Sequence, residues 1–189
     1  MAKKHFQIGQ QACEKLAERF GTPLLVLSLD EIKKNYKVLK KYLPRIKVHY
    51  AIKANPHPEI LRVMADMGSC FDVASDGEIR TLHDLGIEGG RMIYANPVKT
   101  GAGLAACRSC HVSKMTFDSA SEIDKIKAQC PEATLLLRLR IDNSSAHVDL
   151  NKKFGAAREN ALALMLQAKE AGLDMAGIAF HVGSQTVSS

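Results

Sequence analysis

From Ile46 onward the chain repeats one rhythm. A short apolar run suited to a strand is followed by a stretch with apolar residues at helical spacing, and the pair returns after roughly 20 residues. The strand candidates are Ile46 to Ile52, Cys70 to Ala74, Arg91 to Ala95, Ser113 to Phe117, Thr134 to Ile141 and Met175 to His181. Helix signals such as Pro58-Glu59-Ile60-Leu61-Arg62-Val63-Met64 lie between most of them. One longer unit contains a polar loop from Asp142 to Lys153.

Runs that are apolar on both faces fit a parallel sheet covered by helices. About six such units are compatible with a closed (β/α) barrel or with a doubly wound sheet, and periodicity alone does not separate the two. A complete barrel has eight strands and typically ~250 residues, so a barrel beginning at Ile46 is expected to be unfinished at Ser189. Upstream, Pro23-Leu24-Leu25-Val26-Leu27-Ser28 reads as a strand, and Ser28-Leu29-Asp30-Glu31 as the start of a helix running to about Leu43.

Composition narrows the function classes. With 46% hydrophobic and 24% charged residues the chain is ordinary globular material. The basic start Met1-Ala2-Lys3-Lys4-His5-Phe6-Gln7 leads into no long apolar run, so neither an export signal nor a membrane span is expected. Five cysteines in irregular spacing read as reduced thiols, which agrees with a cytoplasmic location. The net charge of +6 is dispersed, Trp is absent and aromatics are 5%, so a solvated surface is a better account than a nucleic-acid partner.

Active sites of parallel βα folds collect at the C-terminal ends of the strands. The first strand ends in Tyr50-Ala51-Ile52-Lys53-Ala54-Asn55, the second in Phe71-Asp72-Val73-Ala74-Ser75, the fifth carries Arg138 and Arg140, and the sixth ends in His181-Val182-Gly183-Ser184. A lysine closing a buried strand loses its proton when desolvated and then attacks an aldehyde, although a solvated lysine is the commoner occupant of such a place. Asp72 in the same layer suits an ammonium partner or a plain loop carboxylate. Glu78 completes the capping box Ser75-Asp76-Gly77-Glu78, which explains it without any chemistry. His181 fits a ring stacked on a flat cofactor or a hydrogen-bonded core histidine. Gly183-Ser184 offers a phosphate-binding hydroxyl or a simple turn.

Two patterns imitate other chemistries. Cys107-Arg108-Ser109-Cys110-His111 matches a haem attachment pattern but falls in an expected helix. Gly101-Ala102-Gly103, with Asp118 after the next strand, imitates a dinucleotide fingerprint, yet Asn96-Pro97-Val98-Lys99-Thr100 separates the glycines from their strand. The histidines show no metal-ligand spacing. Asn143-Ser144-Ser145 is a glycosylation sequon without relevance in a cytosolic chain.

Together the strand-end segments, with Ile93-Tyr94-Ala95-Asn96-Pro97-Val98-Lys99, Leu137-Arg138-Leu139-Arg140-Ile141-Asp142 and Lys153-Phe154-Gly155, resemble the ornithine decarboxylase family. These are fold type III pyridoxal-phosphate decarboxylases related to alanine racemase. The resemblance implies an alanine-racemase-like (β/α)8 barrel, incomplete in this chain, occupying residues 31–189. Residues 1–30 would be associated with a β-rich second domain and contribute a strand to it.

The resemblance further implies that Lys53 bonds the aldehyde of pyridoxal 5'-phosphate, with Asp72 and Glu78 close to it. Arg138 would sit near the cofactor ring, His181 would stack on that ring, Ser184 would contact the phosphate, and Ala51 would line the cofactor site. The implied reaction is decarboxylation of a basic amino acid, foremost ornithine to putrescine in polyamine synthesis, in a homodimer with shared active sites. Lysine, mixed lysine and ornithine, or diaminopimelate use stays open, as does a non-catalytic relative that kept the barrel. The glycine-rich phosphate loop, the acid facing the pyridine nitrogen and a cysteine from the second subunit would lie beyond Ser189. The chain alone is therefore expected to be inactive and poorly stable, since an open barrel exposes two strand edges.

Overall fold

The computed structural model describes residues 7–141, 146–148 and 153–186, which form two compact units, residues 1–46 and 47–189. In the first unit, α1 (Gln10–Phe20) ends at Gly21, whose φ of 79° is the left-handed stop that glycine adopts cheaply. The helix α2 (Leu29–Tyr42) begins where the capping signal places it. Ser28 Oγ accepts the Glu31 N–H at 3.2 Å, Asp30 and Glu31 lie in the first turn, and Lys40 and Lys41 lie in the last.

The strand expected at Pro23–Ser28 is not formed. The segment enters no ladder among the described residues, and Leu24, Leu25, Val26 and Leu27 are all exposed. An extended apolar run becomes a strand only through a hydrogen-bonding neighbour, and this unit supplies none.

The second unit contains the parallel sheet. Its elements are β1 (His49–Ala51), α3 (Pro58–Asp66), β2 (Cys70–Val73), α4 (Asp76–Asp84), β3 (Met92–Tyr94), α5 (Gly101–Ser109), β4 (Lys114–Phe117), α6 (Ala120–Gln129) and β5 (Thr134–Arg138). They continue with β6 (Ala146–Val148), α7 (Ala161–Glu170), β7 (Asp174–Ala179) and β8 (Ser184–Thr186). Strand order is β1-β2-β3-β4-β5-β7, all parallel, with β6 and β8 forming a separate antiparallel pair. Consecutive strands therefore neighbour one another around the sheet, which is barrel order rather than the reversing order of a doubly wound sheet.

The core is apolar and nearly closed to solvent at Ile52, Leu61, Phe71, Val73, Ile79, Leu82, Leu104, Met115, Phe117, Leu135 and Leu137. β7, at one edge, alternates exposed and half-buried residues along its length. Every expected strand after Ile46 exists, with ends trimmed by a few residues. The polar loop expected between Asp142 and Lys153 contains β6 at residues 146–148; the sequon at Asn143–Ser145 and residues 149–152 lie outside the described residues.

Candidate active site at the strand ends

A cavity of about 330 Å³ opens at the C-terminal ends of the parallel strands, and Lys53, Asp72, Asn96, Arg138, Phe154 and His181 are among its lining residues. Five of them come from the ends of different parallel strands, and Phe154 comes from the segment ahead of α7. β1 stops at Ala51 and turns through a single tight 3-10 turn, Ile52–Ala54, which buries Ile52 and leaves Lys53 exposed at the cavity. Lys53 is thus more open to water than the desolvated lysine expected from its position. Parallel register places Ala51 beside Asp72.

Asp72 is half-buried, and burial pushes its carboxyl up from the usual aspartate range. The positive charges of Lys53 and Arg138 oppose that shift, and Glu78 adds to it. Arg138 closes β5 with its guanidinium carbon 5.1 Å from the centre of the Phe154 ring. Burial lowers the affinity of Arg138 for its proton, while Asp118 and Asp72 support the charged form.

His181 follows β7 by two residues. Burial first, then the charges of Arg138 and Lys53, holds its imidazole below the ordinary histidine value. Nδ1 accepts the Gly183 N–H at 2.9 Å, so a neutral ring carries its proton on Nε2. Gly183 reaches this geometry with a φ of 97°.

Lys53, Asp72, Arg138 and His181 therefore share one cavity. Glu78 does not line it. Its carboxylate accepts the Ala74 N–H at 2.6 Å and its own N–H meets Ser75 Oγ at 3.2 Å, so the capping role accounts for its contacts. Ser184 and Ala51 are likewise outside the lining; Ser184 belongs to β8, paired opposite Val148.

Other contributors were harder to find from residue order. Asp118, one residue past β4, accepts the Gly155 N–H at 2.8 Å and so anchors the segment carrying Phe154. Its position after a strand, like that of Lys53, was the available signal. Thr116, on β4, also lines the cavity, as do Ala95 and Pro97 beyond β3.

The imitating motifs lose their chemistry here. Gly101 and Gly103 lie in the first turn of α5, capped by Thr100, and a Cβ at Gly103 would stand 2.6 Å from the Tyr94 hydroxyl. Close packing explains that glycine. Cys107 and Cys110 are 1% and 4% exposed, too enclosed to bond a haem, and burial pushes the Cys107 thiol up to about 12. Cys107 adjoins a larger cavity, about 470 Å³, near the N-terminal ends of β4 and β5, away from the strand ends that carry the reactive groups. Among the described residues no cluster of three or more His, Cys, Asp or Glu could hold a metal.

A primary amine facing a cavity with a carboxylate, a guanidinium and a neutral imidazole defines a site suited to an aldehyde cofactor bearing a flat ring. The donor set fits pyridoxal phosphate. Residues 29–189 match the family described as pyridoxal-dependent decarboxylase, pyridoxal binding domain, and the chain belongs to that family.

A lysine/ornithine decarboxylase from Selenomonas ruminantium is 50% identical over 98% of this chain and 47% of its own length. The ornithine decarboxylase of Saccharomyces cerevisiae is 39% identical over 94% of this chain and 38% of its own. The crystal structure of SrLDC, the Selenomonas ruminantium enzyme, in complex with PLP and cadaverine superposes with a TM-score of 0.90 at 48% identity, covering 98% of this chain and 46% of that one. The chain spans about half the length of these relatives or less. No helix among the described residues is long and apolar enough to cross a membrane.

Proposed function

We propose that the protein to which this chain belongs decarboxylates a basic amino acid, foremost L-ornithine to putrescine, with Lys53 bonding the cofactor. Convergence of Lys53, Asp72, Arg138 and His181 on one cavity carries the reading. A pseudoenzyme has no need of a reactive lysine and its charged partners together. The Ile93–Lys99 segment favours ornithine, while the name of the Selenomonas relative supports lysine as a second substrate.

Bound pyridoxal phosphate supplies the electron sink for the bond to the departing carboxylate. The chain's residues prepare that chemistry. Lys53 presents its amine from the turn after β1. Asp72, which feels the positive charges of both Lys53 and Arg138, would oppose drift of the Lys53 nitrogen. His181 offers a neutral ring face, and Arg138, braced on Phe154, keeps positive charge beside the ring site. Glu78 is assigned a place close to Lys53 as a second carboxylate, its negative charge raising the proton affinity of Asp72, and Ala51 leaves room beside Asp72. Ser184 is assigned to the phosphate, with the remaining phosphate ligands, the acid at the pyridine nitrogen and a cysteine from a second subunit beyond Ser189.

Residues 1–30 are assigned to a β-rich domain. The exposed apolar run Leu24–Leu27 supports this, because it enters no ladder among the described residues and its side chains are left uncovered. A cytoplasmic homodimer completes the proposal.

The test is borohydride reduction of the full-length protein with pyridoxal phosphate, followed by peptide mass spectrometry and product analysis. A pyridoxyl adduct on Lys53, lost in Lys53→Arg, with putrescine formed from ornithine, supports the reading. An adduct elsewhere or none refutes the cofactor role, and cadaverine in large excess corrects the substrate.

A further inference from the structure

The second unit buries a lysine that none of the roles above uses. Lys99, in the loop between β3 and α5, is 1% exposed. Its Nζ donates to the carbonyls of Asn96 at 3.1 Å, Pro97 at 3.3 Å and Thr116 at 2.5 Å, and lies 3.2 Å from Glu122 Oε1. It also sits 5.5 Å from the centre of the Tyr94 ring. Four oxygens thus compete for three ammonium protons, which leaves the group fully engaged.

Three of those acceptors belong to residues that line the strand-end cavity: Asn96, Pro97 and Thr116. Asn96 and Pro97 follow β3, whereas Thr116 is on β4. A single ammonium therefore ties the loop after one strand to the neighbouring strand, directly behind the cavity wall. The backbone adds to this, because the Lys99 N–H also reaches Glu122 Oε1 at 3.0 Å.

We infer that Lys99 is a positioning residue that fixes the β3–β4 wall of the cavity through its ammonium. The consequence for cofactor binding rests on the function proposed above, whereas the placement of the wall does not. Burying a lysine costs free energy unless it is paired, and burial here pulls its proton affinity down while Glu122 resists. A purely apolar filler would avoid that cost, so the geometry is better explained by what the charge holds than by packing alone.

Glu122 separates the two possibilities experimentally. It pairs with Lys99 through Oε1 and with the more exposed Lys125 Nζ through Oε2 at 2.6 Å, so loss of the Lys99 ammonium leaves its buried carboxylate under-compensated at one oxygen. Lys99→Met keeps an unbranched side chain of similar length. The double variant Lys99→Met, Glu122→Gln also removes the opposing buried charge. Neither position touches the cavity.

The experiment compares full-length wild type and both variants by thermal melting, by hydrogen exchange of the 95–99 segment without cofactor, and by titration with pyridoxal phosphate. Lys99→Met is expected to exchange faster across 95–99 and to bind the cofactor about ten- to a hundredfold more weakly, with a shifted visible band, as a displaced wall requires. The double variant should regain melting temperature but not cofactor affinity. Unchanged exchange at 95–99 overturns the inference, as does recovery of affinity together with stability in the double variant, or failure of both variants to fold. If wild type itself binds no pyridoxal phosphate, the proposed function fails, and hydrogen exchange alone then decides the positioning role.

Discussion

Asp118 holds Gly155 by a 2.8 Å hydrogen bond from the glycine N–H, across a gap of more than thirty residues in sequence. The glycine's φ of 96° and the closeness of a would-be Cβ to Arg140 N, 2.8 Å, show why no larger residue fits there. The backbone continues the clasp, since Ala156 N–H donates to Arg138 O at 2.8 Å and Arg140 N–H to Ala156 O at 2.9 Å. Phe154 is thereby set under the Arg138 guanidinium.

Asp118→Ala should release that segment. Loss of a hydrogen bond to a charged acceptor costs about 1.5–3 kcal/mol. The expected result is a lower urea midpoint together with weaker pyridoxal phosphate binding, because Phe154 lines the cavity and Arg138 loses its brace. Gly155→Ala should do the same through strain of about 1–3 kcal/mol. Equal cofactor affinity in wild type and both variants would separate the clasp from the site.

Asp72 gives the protein a pH dependence of definite sign. Its carboxyl titrates above the ordinary aspartate value in the folded state, chiefly because it is buried. The folded protein therefore binds more protons than the unfolded chain between the ordinary aspartate value of 3.8 and the raised folded value, and stability falls as pH rises through that window. Asp72→Asn removes this dependence and is expected to be more stable than wild type at neutral pH while losing the partner of the Lys53 nitrogen. Urea midpoints from pH 4 to pH 8 test it. A variant less stable than wild type at pH 7 would mean that attraction to Lys53 and Arg138 outweighs burial.

Sequence patterning reached the sheet and missed the contacts that tie it together. Strands such as Thr134–Arg138 are legible because their apolar character follows from burial on both faces, and α2 is legible from Ser28 and Glu31 because a cap is a local interaction. Strand-end position drew attention to Lys53, Asp72, Arg138 and His181 but left Lys53, Asp72 and His181 equally open to bland roles, and the family resemblance alone joined the four in one site. Pairing partners are not local, so the apolar Pro23–Ser28 run looks like a strand whether or not a neighbour exists, and β6 and β8 are too short to stand out. Helix α1 was missed although Ala12, Leu16 and Phe20, with Cys13 and Ala17 beside them, recur at helical spacing and give it an apolar face. Lys99 carries no sign of its burial in its immediate neighbours, because Thr116 and Glu122, which hold it, come from the next βα unit.

The two glycines of α5 provide a last check on how the site was separated from its imitations. At Gly103 an added Cβ would meet the Tyr94 hydroxyl at 2.6 Å and its ring at 3.1 Å, and Tyr94 is 2% exposed with no free space to move into. Gly103→Ala should cost about 1–3 kcal/mol, the usual penalty for overpacking. Gly101 meets only Gln129 Nε2 at 4.0 Å, so Gly101→Ala should be neutral or stabilising by about 0.4–1 kcal/mol, through the reduced freedom of the unfolded chain. Neither variant should alter nicotinamide dinucleotide binding, because neither glycine faces a ligand. Chemical melts of the two single variants check the ranking. If the two lose equal stability, the contact with Tyr94 is not what requires a glycine at 103; if either abolishes binding of a dinucleotide, the fingerprint reading returns and the strand-end site must share the molecule with it.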